Sequence, residues 1–140
     1  MISMSNLANI LQSRAQDVID SRTDTVLGNL NISFDYLNSE LMLKAVFDEL
    51  VKNLPDSKPL IDKIIQTRRI NLPSSYKEKV QACISILLFW VKGNQEPFQL
   101  MSFFSHYTDS DIMTNEAMTF FFIPVYKYIA ERIVKMWCVE

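Results

Sequence analysis

Two glycines, Gly28 and Gly93, serve all 140 residues of this chain, far below a usual share of about 7%. Sandwiches and barrels depend on many tight turns, and tight turns draw on glycine, so this scarcity argues against both. Helices joined by short loops are the architecture that remains. The same scarcity excludes a P-loop and a dinucleotide fingerprint, because neither can be assembled from two isolated glycines.

Composition narrows the class further. With 49% hydrophobic and 11% aromatic residues, and apolar periodicity running almost end to end, the chain is not disordered. A domain of this length buries roughly 70% of its unfolded surface, so it needs no disulfide or metal to hold it together. The balance of 14 basic and 16 acidic residues gives a net charge of −2, which offers no support for a nucleic-acid-binding surface. The first eleven residues lack a basic start followed by a long apolar core, so neither a signal nor a transit peptide is expected, and the setting is expected to be cytoplasmic. The strongest apolar runs, residues 83–91 and 120–126, fall well short of the ~20 residues of a spanning helix. No membrane span is expected.

Apolar spacing divides the chain into helices. Leu7, Ile10, Leu11, Val18 and Ile19 recur at helical intervals and predict a helix over residues 5–26, which Gly28 and the asparagines after it should end. Phe34, Leu37, Leu41, Val46, Phe47, Leu50 and Leu54 predict one long helix over residues 33–54, stopped by Pro55. A short helix over residues 59–68 follows, with Ser57 as its cap, Pro59 in its first turn, and Leu60, Ile61, Ile64 and Ile65 as its buried side. Ser75 and Glu78 fit a capping box, and the helix they start should run to Gly93. Its apolar residues wrap most of its circumference, which predicts a central helix covered by others.

Pro97 should open a further helix containing Phe98, Met101, Phe103 and Phe104, followed by a polar loop at residues 108–111. The last helical pattern starts near Thr114 and ends at Trp137. Pro124 falls inside it and removes a backbone donor, so a kink is expected over residues 120–124. Successive side chains on a helix turn by about a quarter of a circle, so Phe120, Phe121 and Phe122 cannot all face one core. At least one should face a second surface, either a subunit interface or the wall of an apolar ligand tunnel. A single all-α domain of about six to seven helices is expected over residues 1–140.

Chemistry-bearing residues are few. The only histidine, His106, excludes paired-histidine metal sites, and Ser102 and Ser105 beside it belong to no nucleophile elbow. No enzyme is indicated. Asp109, Asp111 and Glu116 lack the glycine and ligand spacing of a calcium loop and read as solvated loop charges. Cys83 and Cys138 stand alone: Cys83 reads as a buried structural thiol, and no spacing suggests zinc. Arg68 and Arg69 meet where a helix ends. They either complement the helix dipole, or one turns inward and holds an anion in its fork of donors.

The run RRINLPSSYKEKVQACISILLFW, residues 68–90, resembles the part of sensor globins where a helix ends in an apolar, proline-containing corner and a long helix follows with a tyrosine in its first turn. The corner here is Leu72 and Pro73, and the tyrosine is Tyr76. Haem-binding members place a histidine about six residues before the corner, where this chain has Thr67. The run FFFIPVYKYIAERIVKMW, residues 120–137, is similar to the last helix of the haem-less sensor domains of stressosome RsbR-type proteins. Within that group the chain most resembles the plasmid-borne sporulation-inhibitory proteins of Bacillus, relatives of a sporulation histidine kinase sensor domain.

That resemblance implies a haem-less globin-like fold, no haem, a fatty acid in an apolar tunnel, and a chloride-type anion in a polar chamber. It further implies a homodimer that inhibits sporulation by competing with the kinase sensor for its signal. On this reading the tunnel is expected at Phe47, Ile64, Leu72, Cys83, Leu87, Trp90 and Phe121, with Arg69, His106 and Tyr107 as anion or carboxylate ligands. Two other readings stand beside it: a haem globin using His106 as its ligand, and a helical Bcl-2-like interaction protein whose groove takes an amphipathic helix.

Overall fold

The computed structural model describes residues 4–92 and 110–138, with side chains described over 6–92 and 111–136. Every regular element among them is an α-helix: α1 (Met4–Ile19), α2 (Val26–Ser39), α3 (Leu41–Val51), α4 (Ser57–Thr67), α5 (Tyr76–Val91), α6 (Ser110–Phe121) and α7 (Ile123–Cys138). The all-α expectation holds. The helix expected from Pro97 onward, with Phe98, Met101, Phe103 and Phe104, lies outside the described residues, as do His106 and Tyr107. Among the described residues no helix is long and apolar enough to cross a membrane.

The first boundary differs from expectation because Gly28 does not stop a helix. α1 ends at Ile19, where Ser21 donates its hydroxyl to the Asp17 carbonyl at 2.8 Å, an interaction that competes with further helix. Gly28 instead sits inside α2, whose buried residues Val26, Leu30, Ser33, Phe34 and Leu37 keep a helical spacing across it. One interior glycine costs about 1 kcal/mol, less than burying that stripe contributes.

The single helix expected over residues 33–54 is two. Asn38 donates its amide to the Phe34 carbonyl at 3.1 Å and Ser39 its hydroxyl to the Tyr36 carbonyl at 3.0 Å. The Tyr36 carbonyl also takes the last helical bond of α2, from the Glu40 amide at 3.3 Å. Glu40 then turns extended, with φ −91° and ψ 132°, and its carboxylate accepts from the Met42 and Leu43 amides at 2.8 and 3.0 Å. Glu40 therefore caps α3.

Two further caps differ from expectation. Asp56, not Ser57, caps α4, its carboxylate accepting from the Lys58 amide at 3.3 Å, and Pro59 falls in the first turn as expected. Ser75 occupies the cap position of α5 but its side chain makes no capping bond. The helix is started instead by the Lys79 amide donating to the Ser75 carbonyl at 2.8 Å.

α5 is the central helix. Every residue from Val80 to Leu87, and Trp90 beyond them, is buried, and α5 packs on α2, α3, α4, α6 and α7. Its two polar buried side chains reach neighbouring backbone: Gln81 donates to the Leu50 carbonyl at 3.0 Å and Ser85 to the Pro55 carbonyl at 2.8 Å. The first ties the end of α3 to α5 and the second fastens the α3–α4 connection.

The final helical pattern divides at Phe122, within the stretch where a kink is expected. Pro124 takes the second position of α7, where its missing N–H has no intrahelical acceptor to lose. The chain stays hydrogen-bonded through the break, from the Phe122 amide to the Met118 carbonyl at 2.8 Å and from Tyr126 to Phe122 at 3.1 Å. Phe121 and Phe122 are 1% and 3% exposed, whereas Phe120 is 36% exposed. Phe120 is the one of the three that faces a second surface.

Candidate functional site: a cationic cavity at the end of α4

α4 presents Ile61 and Ile64 to the core and ends in an unusual reversal. Arg68 adopts the left-handed conformation, φ 56° and ψ 29°, and is the one non-glycine residue with positive φ among the described residues. A glycine normally takes this place because a side chain there costs about 1–2 kcal/mol. Thr67 braces the reversal, its hydroxyl lying 2.8 Å from the Lys63 carbonyl and 3.4 Å from that of Arg69. The chain then doubles back beside the helix.

That return encloses a cavity of about 480 Å³ bounded by Leu60, Lys63, Ile64, Thr67, Arg69 and Asn71. Its volume falls within the range of small-molecule sites. Leu60 and Ile64 supply an apolar floor, while a guanidinium, an ammonium and a carboxamide supply donors at the rim. No carboxylate borders it, and among the described residues neither Lys63 nor Arg69 forms an ion pair. Such a set accepts one anionic head group, a carboxylate or a halide, with an apolar tail against the floor. A second cavity of about 300 Å³ adjoins it at Asn71 and runs over the corner formed by Ile70, Leu72, Pro73 and Ser74.

Three of the expected site residues therefore come together, Ile64 and Arg69 in the first cavity and Leu72 in the second. Phe47, Cys83, Leu87, Trp90 and Phe121 are at most 4% exposed and belong to the continuous core. They pack the interior and border neither of these two cavities. His106 and Tyr107 lie outside the described residues. Sequence reasoning passed over Lys63, although its position four before Thr67 put it one turn away on the same face of α4, close to the arginines that follow.

The groups with displaced ionisation are scattered rather than gathered. Burial pushes the Cys83 thiol up to about 12, consistent with a structural role. Tyr36 is raised by burial and then by Glu40, and Tyr76 by burial and then by Glu131. Asp111 is lowered, first by the Thr23 amide and then by its hydroxyl, which donate at 2.8 and 2.9 Å. Asp111 is thus no loop charge: it stands in the first turn of α6 and fastens the α1–α2 connection. Among the described residues no three His, Cys, Asp or Glu side chains cluster as metal ligands. No family model, curated protein or solved structure matches this chain.

Proposed function

We propose that this chain is a non-enzymatic signal-binding protein that takes a fatty acid, its carboxylate held by Arg69 and Lys63 and its chain lying over Leu60 and Ile64 toward the Leu72 corner. The observation that carries this reading is a cavity with two cations, no carboxylate and an apolar floor. A chloride-sized anion suits the same donors when no fatty acid is bound. Burying a ten-carbon chain contributes roughly 8 kcal/mol gross, at ~0.8 kcal/mol per methylene, before ordering costs. The likeness to the sporulation-inhibitory globins supplies the biological setting: a cytoplasmic homodimer that inhibits sporulation by competing with a histidine kinase sensor domain for its signal.

Native mass spectrometry of gently purified protein, followed by organic extraction, tests the reading. A retained acyl chain that disappears in the Lys63→Ala/Arg69→Ala double variant supports it. Protein that carries no acyl chain and takes up none when decanoate is added overturns it.

A further inference from the structure

A separate groove of about 680 Å³ lies where α5 meets the α6–α7 junction. Phe120 stands in its wall together with Ile123 and Pro124, and Tyr76, 44% exposed, stands at its edge. Aromatic residues presented in this way are enriched among the anchors of protein interfaces. Lys79 and Lys127 add positive charge to the groove, with Glu116 its one carboxylate. Three other lysines are neutralised by neighbours: Lys44 pairs with Asp48 at 3.2 Å, Lys58 with Asp62 at 3.5 Å and Lys77 with Glu49 at 3.6 Å. Lys79 and Lys127 form no ion pair among the described residues, and Lys79 is half-buried. A half-buried ammonium lacking a counter-charge gains from an acidic partner.

Lys79 and Phe120 also border the corner cavity over Leu72 and Pro73, so the groove continues past its own end. Apolar Phe120, Ile123 and Pro124 beside Lys79 and Lys127, in a groove that shares Lys79 and Phe120 with the corner cavity, suit an extended chain. Two lysines beside a glutamate are too sparse for a polyanionic backbone. We propose that this groove docks an extended segment of a partner protein in which acidic residues alternate with apolar ones. The acidic side chains meet Lys79 and Lys127, and the apolar ones pack on Phe120, Ile123 and Pro124. The proposal stands independently of the fatty-acid reading, because the charges it uses are different ones.

Fluorescence anisotropy with the full chain tests it, using a labelled peptide of alternating glutamate and leucine and a control with glutamine at every glutamate position. The glutamate peptide is expected to bind at least about tenfold more tightly than its control. Lys79→Gln, Lys127→Gln and Phe120→Ala should each weaken it about three- to tenfold, and Arg69→Ala should leave it unchanged. As a second measure that does not depend on folding of the Lys79 variant, Lys127→Glu on the exposed surface should lower affinity for the glutamate peptide and raise it for a lysine–leucine peptide. Equal binding of the glutamine control overturns the proposal. So does sensitivity to Arg69→Ala alone, or light scattering that shows the groove occupied by a second copy through Phe120.

Discussion

Asp111 joins parts of the chain 88 positions apart by accepting both the amide and the hydroxyl of Thr23. Because these donors favour the ionised form, its pKa lies below the ordinary carboxylate value, and the stabilisation is present above that ordinary value and lost as pH falls through the lowered one. Asp111→Asn should therefore melt at a lower temperature than the wild type at pH 7. The gap should narrow as the pH drops below the ordinary carboxylate range, as thermal melts across pH will show. At Arg68 the effect runs the other way. Glycine would relieve about 1–2 kcal/mol of left-handed strain and return about 0.4–1 kcal/mol of chain entropy to the unfolded state. Arg68→Gly is expected to stabilise by about 0.5 kcal/mol in urea titrations.

Single residues were unevenly legible. The burial of Cys83 and the placement of Arg69 at a cavity followed from position on a helix and from proximity to its end. The outward turn of one phenylalanine among Phe120, Phe121 and Phe122 followed from helix geometry alone. Which one turns out depends on where α6 meets α5, and local pattern carries no such information. The partnership of Asp111 with Thr23 was equally hidden, since nothing near either residue refers to the other.

At the level of elements, helix type was readable and two boundaries were not. Gly28 looked like a stop because glycine commonly ends helices, yet a Cβ built there meets nothing within 4 Å. Gly28→Ala should accordingly stabilise the protein by about 0.5–1 kcal/mol, measured by chemical denaturation. The α2–α3 break went unread because it depends on side chains that bond backward and forward to the backbone, and the apolar spacing continues across it. Asn38, Ser39 and Glu40 in succession were the available signal. Removing the cap with Glu40→Ala should cost about 1 kcal/mol and loosen the start of α3, which hydrogen exchange at the Met42 and Leu43 amides will detect.

Across the whole molecule, the central place of α5 was legible because apolar residues surround it, and the packing bears that out. The interior was harder to divide between core and ligand wall. Apolar residues at helical spacing look the same in both roles, so spacing alone cannot say whether Phe47, Cys83, Leu87, Trp90 and Phe121, all buried in the core, also face a ligand. What separates a site from a core is the return of the chain after Arg68, which brings Arg69 and Asn71 beside Lys63. That return depends on a backbone conformation seldom adopted by arginine and could not be read from composition.

The most direct measurement of the central claim is thermal unfolding in the presence of decanoate, compared with decanol and with Arg69→Ala. At a hundredfold excess over its dissociation constant the fatty acid should add about 2.7 kcal/mol to wild-type stability, with a clear rise in Tm. Decanol, which lacks the charge, and the Arg69→Ala variant should each show a much smaller rise. An absent rise in the wild type, or an equal rise with decanol and in Arg69→Ala, would contradict the assignment of the cavity as the carboxylate site.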